Sequence, residues 1–210
     1  MSENQGKNIL LVGDSHTDEL ISAYKFSRKE YTITHRNREI RSELASKHRI
    51  DKYAQFHEEN CEIGMFKSWG TAWAYDASGI DNISTFNNQN SHCIFWLGFN
   101  DILRHELYPD FDKTIRKYLS TIINTFDNTN IHIAYPLKTR HMIDSENYHL
   151  FCQKLNDLCL EYDLDKPLDM GSGKEDVLKD PNEYQDLHHL NSYHYESMFL
   201  NLIKYIDEEI

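Results

Sequence analysis

Short apolar runs alternate with amphipathic helical patterns along most of this chain of 210 residues. The runs predict β-strands at 8–12, 31–35, 92–97 and 130–135, with a weaker strand at 166–169. Apolar residues spaced three and four apart predict helices over Phe111–Phe126, Ser192–Glu208 and Glu146–Tyr162, the last with Leu150, Leu155, Leu158 and Cys159 on its core face. A further helix is predicted over Asp18–Ser27, with Thr17 or Asp18 as its cap. Strands that alternate with helices form mainly parallel sheets, so the sequence predicts an α/β fold with helices on both faces of the sheet.

Composition narrows the range of functions. The net charge of −12 argues against a nucleic-acid-binding protein, which would present a basic surface. No stretch reaches the roughly 18 apolar residues that a membrane span needs, and the N-terminus has no signal-peptide pattern, so we expect a cytoplasmic protein. The length suits a single domain over residues 1–210. The four cysteines lack CxxC spacing and are expected to be free thiols.

The first predicted strand ends abruptly in Gly13-Asp14-Ser15. Ser15 therefore follows a strand and precedes a helix, which is where α/β proteins commonly place reactive groups. Taken alone, Ser15 is equally well explained as a helix cap that Asp18 completes as a capping box. A serine hydroxyl becomes a nucleophile only when a base lies within hydrogen-bond reach, so the interpretation depends on residues elsewhere in the chain.

A candidate base precedes the last predicted helix, in the segment 186–191. Asp186 and His189 are separated by the spacing that lets a carboxylate fold back onto an imidazole and orient it. His188 is the alternative base. His188, His189 and His194 form a small cluster, but the chain has no HExxH motif and no Cys/His ligand spacing, which argues against a metal site.

Two further segments offer donors for an oxyanion. Asn100 follows the predicted strand 92–97, at the sheet edge where Ser15 is expected. Gly70 can offer its backbone N–H, because a glycine permits close approach. Gly64 and Gly79 are alternatives to Gly70.

In this order, Gly13-Asp14-Ser15, Gly70, Gly98-Phe99-Asn100-Asp101 and Asp186-x-x-His189 resemble the motifs of the SGNH, or GDSL-type, hydrolases. The resemblance extends from residue 8 to about residue 200. It implies a flavodoxin-like, three-layer α/β/α fold and a serine esterase that forms an acyl-serine intermediate. No metal or organic cofactor is implied.

The resemblance also implies roles for individual residues. Ser15 would be the nucleophile, His189 the general base and acid, and Asp186 the residue that orients His189. The N–H groups of Ser15 and Gly70 and the side chain of Asn100 would form the oxyanion hole. The chain departs from the family at His16, where an aliphatic residue is usual, and this predicts an extra polar contact in the pocket.

Three functions are compatible with these motifs. The first is hydrolysis of an acetyl or short acyl ester on a small molecule or a carbohydrate, for which Trp69 and Phe99 would help to line the pocket. The second is O-acyl transfer to a saccharide with the same residues, and the third is a catalytically inactive binding module. A locally basic segment at 36–52 is either a solvated helix face or a contact for an anionic donor or polymer.

Overall fold

A five-stranded sheet forms the centre of the computed structural model, which describes residues 7–17, 19–20, 53–58, 61–66, 91–106, 109–126 and 131–209. The predicted strand at 31–35, the basic segment at 36–52 and most of the predicted helix Asp18–Ser27 lie outside these residues. The strands are β1 (Lys7–Gly13), β2 (Tyr53–Glu58), β3 (Cys61–Phe66), β4 (Ser91–Trp96) and β5 (Ile131–Ala134).

The sheet has the order β2-β3-β1-β4-β5 and is mainly parallel, as predicted. Strand β1 runs parallel to both β3 and β4, and β4 runs parallel to β5. The weak strand predicted at 166–169 is reduced to a single parallel bridge between Leu168 and Ala134.

The β2–β3 hairpin is absent from the sequence prediction. Its two strands pair antiparallel, with Glu58 opposite Cys61 and Tyr53 opposite Phe66. Only two residues separate the strands, and Asn60 is one of them, which is a usable hairpin signal. Interspersed polar residues such as Gln55 and Glu62 break up the apolar runs on which the prediction relied.

Besides the helical residues 15–17 and 19–20, five α-helices have both ends among the described residues: α1 (Phe99–Leu103), α2 (Phe111–Thr125), α3 (Glu146–Glu161), α4 (Glu175–Lys179) and α5 (Ser192–Glu209). The three long helices confirm the predicted ones, with small changes at their ends. Asp110 caps α2 by accepting a hydrogen bond from the Lys113 N–H at 3.0 Å. Ser145 caps α3 in the same way through the Tyr148 N–H at 3.3 Å.

Side chains alternate between two apolar cores, one on each face of the sheet. Val12 and Phe95 pack with helices α2 and α3, whereas Leu11 and Ile94 pack with α5. This arrangement confirms the α/β/α sandwich, because successive residues of a strand point to opposite faces. Cys93, Cys152 and Cys159 are free thiols, as expected.

One predicted core position on α3 is wrong. Leu150 is 46% exposed, and its neighbour Phe151 is completely buried instead. Phe151 shares the inner face of the helix with Leu155 and Leu158, at spacings of four and three. Leu150 lies one position around the helix and therefore faces solvent.

Two buried histidines occupy neighbouring strands on the α5 side of the sheet. His92 Nδ1 lies 3.4 Å from His132 Nε2, and the rings are stacked with their centroids 5.6 Å apart. The His132 ring also meets the edge of Tyr205 of α5. Burial, together with the neighbouring His92, lowers the pKa of His132 to about 4. The folded protein therefore holds His132 neutral where an unfolded chain would protonate it.

We expect this pair to destabilise the protein in acid. As the pH falls from 6.5 towards about 4, the unfolded chain gains a proton at His132 that the folded chain does not accept. Each unit of difference between the two pKa values corresponds to about 1.4 kcal/mol in the free energy of unfolding. Urea unfolding across this pH range measures the loss, and His132→Phe should reduce it. His149→Ala, at an exposed position, is the control. An equal decrease in the free energy of unfolding in acid for His132→Phe and for the wild type would contradict the expectation.

Candidate functional site

The carboxyl ends of β1 and β4 lie side by side, because Gly13 pairs with Trp96. The chain turns sharply after Gly13 into helical residues 15–17 and 19–20, here called the Ser15 turn. A Cβ atom on Gly13 would lie 1.6 Å from Thr17 Oγ1 and 2.8 Å from the Trp96 carbonyl oxygen. Only glycine leaves room for the turn to fold back onto the strand end.

Asp14 is the residue that caps the Ser15 turn. Its Oδ1 accepts a hydrogen bond from the His16 N–H at 3.0 Å, and its carbonyl accepts one from the Thr17 N–H at 3.1 Å. The helix therefore begins at Ser15, so the predicted cap Thr17 is wrong, and the alternative cap Asp18 lies outside the described residues. Ser15 is the first helical residue, which leaves its hydroxyl free of a capping role.

The Asp14 carboxyl also connects the two strand ends. Asp14 is 2% exposed, and burial raises its pKa to about 7. The hydrogen bond from His16 opposes this rise, the nearby Asp101 adds to it, and a backbone hydrogen bond from Phe99 opposes it. Through Phe99, the same carboxyl contacts the start of α1, which follows β4.

The N-cap of helix α1, Gly98, is a glycine that no other residue can replace without strain. Gly98 has φ 109°, and a Cβ atom there would lie 2.5 Å from the Phe151 ring. The Ile102 N–H donates to the Gly98 carbonyl at 3.1 Å and closes the first turn. Asn100 is the second residue of this helix and is partly exposed at the sheet edge that carries Ser15. Its role as an oxyanion donor stays a prediction.

The segment before α5 forms a narrow loop with hydrogen bonds across its base. Tyr184 pairs antiparallel with Leu190, and the Gln185 N–H donates to the His189 carbonyl at 2.9 Å. One residue farther from the tip, the Asn191 N–H donates to the Glu183 carbonyl at 2.8 Å. These hydrogen bonds position the tip of the loop, residues 186–189.

Ser15, His189 and Asp186 form a continuous hydrogen-bonded chain. His189 Nε2 lies 2.8 Å from Ser15 Oγ, and His189 Nδ1 lies 2.9 Å from Asp186 Oδ2. The other carboxylate oxygen, Oδ1, accepts from the backbone N–H groups of His188 and His189, both at 2.8 Å. The structure thus brings together three residues that the sequence prediction selected from opposite ends of the chain.

The hydrogen bond to Asp186 selects the tautomer of a neutral His189 ring. Burial acts to raise the pKa of Asp186, but hydrogen bonds from the His189 and His188 N–H groups and from the His189 ring lower it overall. Asp186 is therefore a carboxylate near neutral pH and accepts from Nδ1 of His189. In a neutral imidazole the other nitrogen, Nε2, then carries a lone pair that faces the Ser15 hydroxyl.

A tyrosine provides a second connection between the same two segments. The Tyr195 hydroxyl lies 2.7 Å from His16 Nδ1 and accepts a hydrogen bond from the Leu190 N–H at 3.3 Å. Tyr195 thereby links the residue after Ser15 to the residue after His189. The pKa of His16 is well below its usual value, mainly because the ring is buried and, to a lesser extent, because His189 and His188 lie nearby. Sequence reasoning missed Tyr195, whose only signal is its place on the apolar face of α5.

The remaining candidates fall into two groups. His16 and Phe99 are 1% and 2% exposed, and their rings meet edge to face at 4.2 Å directly beside His189. Their contribution to a substrate pocket stays a prediction. Gly70, Gly79 and Trp69 lie outside the described residues, and Gly64 lies within β3, paired with Leu10.

The histidines near this site have different partners. His188 packs its ring against Phe99 and His141, whereas His194 bonds to Glu183 at 2.8 Å. In the described part of the chain, no three His, Cys, Asp or Glu side chains are grouped as a metal site. No helix among those residues is long and apolar enough to cross a membrane.

Comparison with solved structures identifies the fold. A member of the lipolytic protein G-D-S-L family from Veillonella parvula superposes with a TM-score of 0.59 at 15% identity, covering 96% of this chain and 98% of that one. A family 3 carbohydrate esterase from Clostridium thermocellum gives 0.54 at 14% identity, covering 96% of both chains. The chain has the SGNH hydrolase fold.

Other comparisons agree with this result or add nothing to it. A lipolytic protein of the G-D-S-L family from Desulfitobacterium hafniense shares the SGNH hydrolase fold with a TM-score of 0.54 at 12% identity, covering 94% of this chain and 98% of that one. No family model and no curated protein sequence matches the chain. At these identities the likeness establishes the fold, and the chemistry has to be argued from the site.

Gly98 offers a test of the local geometry. We expect Gly98→Ala to lower the free energy of unfolding by more than Gly173→Ala does. Both glycines have positive φ, at 109° and 73°, but nothing lies within 4 Å of a Cβ atom at Gly173. Backbone strain alone costs about 1–2 kcal/mol, and forcing a methyl group against Phe151 adds about 1–3 kcal/mol. Urea unfolding compares the two, and equal losses would contradict the steric argument.

Proposed function

We propose that this protein is a serine esterase that cleaves a short-chain carboxylic ester through an acyl-Ser15 intermediate. The observation that carries the proposal is the distance of 2.8 Å between Ser15 Oγ and His189 Nε2. On the other side of the imidazole, Asp186 Oδ2 lies 2.9 Å from His189 Nδ1. This geometry meets the requirement for an activated nucleophile: a base within hydrogen-bond reach and a third group that orients the base.

In the first half-reaction, Ser15 Oγ attacks the ester carbonyl while His189 Nε2 takes the hydroxyl proton. The Asp186 carboxylate stabilises the imidazolium that results. Collapse of the tetrahedral intermediate breaks the bond to the alcohol, which leaves with the proton that His189 returns. The products of this step are the free alcohol and an acyl group bound to Ser15.

The tetrahedral oxyanion needs donors fixed in position before the reaction. The N–H of Ser15 occupies the first position of a helix, where backbone N–H groups have no partner within the helix. The amide of Asn100 follows the neighbouring strand end. We propose these two groups, together with the N–H of Gly70, as the oxyanion hole.

The second half-reaction decides between hydrolysis and transfer. Water gives a carboxylic acid, whereas a sugar hydroxyl gives a new ester, and the same three residues serve both. A structural neighbour is described as a carbohydrate esterase, so acetylated saccharides are the first substrates to test. Incubation with an acetylated sugar, with and without an acceptor sugar, separates the outcomes by whether acetate or acetylated acceptor accumulates.

Ser15→Ala tests the nucleophile. We expect kcat for an aryl acetate to fall by at least about 10³-fold, because the covalent route is lost and only binding and oxyanion stabilisation remain. Ser172→Ala removes an exposed serine hydroxyl and serves as the matched control. Steady-state kinetics and circular dichroism measure activity and folding together.

A fluorophosphonate provides an independent readout of the same residue. Wild-type protein should gain a single covalent label, seen by intact mass, and Ser15→Ala should gain none. Retained turnover in Ser15→Ala would overturn the assignment of the nucleophile. An unlabelled and inactive wild type would instead favour a binding module with an inert site.

Tyr195→Phe tests whether the second connection holds the base in place. The change removes one hydroxyl and, with it, the hydrogen bonds to His16 and Leu190. We expect kcat to fall about tenfold, which corresponds to the loss of about one net hydrogen bond, while KM stays close to the wild-type value. Tyr162→Phe, at the C-cap of α3, is the control. An unchanged kcat in Tyr195→Phe would show that the Ser15–His189 pair needs no such support.

A further inference from the structure

We infer a subsite for an anionic group next to the Ser15–His189 pair, formed by Arg140, His141 and His188. The inference rests on the proposed esterase function and narrows its substrate class. The substrate would be an ester whose sugar or alcohol portion carries a carboxylate or a phosphate.

The three side chains extend outward from the proposed base. His188 directly precedes His189, and its ring centroid lies 5.4 Å from that of His141. Arg140 Nε donates to His141 Nε2 at 3.2 Å, so the guanidinium is the next group along. A continuous row of nitrogen-bearing side chains therefore leads from the proposed catalytic imidazole to a cation.

The structure holds Arg140 in place before any ligand binds. Its backbone N–H donates to the Tyr184 hydroxyl at 2.9 Å, and its guanidinium carbon lies 5.2 Å from the centre of the Tyr184 ring. The Tyr184 hydroxyl in turn donates to the Leu178 carbonyl at 2.7 Å. Positioning of this kind reduces the entropy that a ligand-binding side chain loses on binding.

The charge of Arg140 is not neutralised by any acid in the described part of the chain. Arg116, by contrast, bonds to Asp112 at 2.8 Å and to Glu161 at 2.5 Å. The acid nearest to His188 along the chain, Asp186, is occupied by the N–H groups of His188 and His189 and by the His189 ring.

The chemistry of these groups suits an oxyanion ligand. A guanidinium presents several N–H donors in a planar fork that matches a carboxylate or a phosphate. His141 Nε2 already accepts from Arg140, and His188 Nδ1 is buried. Nδ1 of His141 and Nε2 of His188 are therefore the ring nitrogens that can add hydrogen bonds to a ligand. A charged group bound here would place a neighbouring ester towards Ser15.

The test compares esters of sugars that differ in the group at C6, which is a neutral hydroxymethyl, a carboxylate or a phosphate. The substrates are an acetylated methyl glucoside, the matching acetylated glucuronate and the matching acetylated glucose 6-phosphate. We expect wild-type kcat/KM to be at least about tenfold higher for one or both anionic esters than for the neutral one. Which anionic ester is preferred distinguishes a carboxylate from a phosphate.

Two variants separate a specific subsite from a general electrostatic effect. Arg140→Gln should abolish the preference for the anionic ester. Lys113→Gln, which removes a positive charge from the exposed surface of α2, should retain the preference. Thermal unfolding of Arg140→Gln checks its fold. The preference should also decline in high salt, because screening weakens attraction between exposed charges.

The outcomes distinguish the subsite from the esterase function. A wild type that cleaves all the esters without preference would overturn the subsite and leave the esterase intact. An equal loss of preference in Arg140→Gln and Lys113→Gln would also overturn the subsite, in favour of long-range steering. Failure to cleave any ester, together with absence of fluorophosphonate labelling, would overturn the esterase proposal itself.

Discussion

The buried carboxyl of Asp14 is the group on which the geometry of this edge of the sheet depends. It caps the Ser15 turn through the His16 N–H, and the backbone of Phe99, at the start of α1, lies close enough to lower its pKa. Two strand ends that the sheet merely places side by side are thereby joined by one side chain. Gly13 permits this arrangement, since any larger residue would separate the turn from the strand. The positions of Ser15 and Asn100 both follow from it.

The opposite side of the site is supplied by a loop rather than by the sheet. Backbone pairing between Tyr184 and Leu190 stiffens the loop, and the Glu183 carboxylate ties its base to α5 through Tyr193 and His194. Asp186 then needs only local hydrogen bonds to orient His189. A rigid loop on a rigid sheet is the arrangement that a proposed nucleophile and base require, because small displacements would break a hydrogen bond of 2.8 Å.

Much of the architecture could be predicted because local patterns specify it. The apolar runs before Ser15 and Asn100 are strands, and the helical spacing identified α2, α3 and α5. The order of the motifs also selected Asp186 and His189, which the structure joins to Ser15 in one hydrogen-bonded chain. Features that depend on contacts distant in sequence could not be predicted in this way. The role of Tyr195 is one such feature, because it requires knowledge of how α5 packs against the Ser15 turn. The cap at Asp14 is different: it is a local contact that the sequence interpretation overlooked.

The hydrogen bond between Ser15 and His189 joins residues 174 positions apart in the chain. During synthesis, the segment that contains Ser15 is complete long before the segment that contains His189 exists. The proposed active site therefore cannot assemble until α5 has docked through Tyr195 and closed the structure. In a chain with this layout, the serine is synthesised early but is activated last, after the scaffold around it has formed. Activity would accordingly report the completion of folding, and partly folded chains would carry an unactivated hydroxyl.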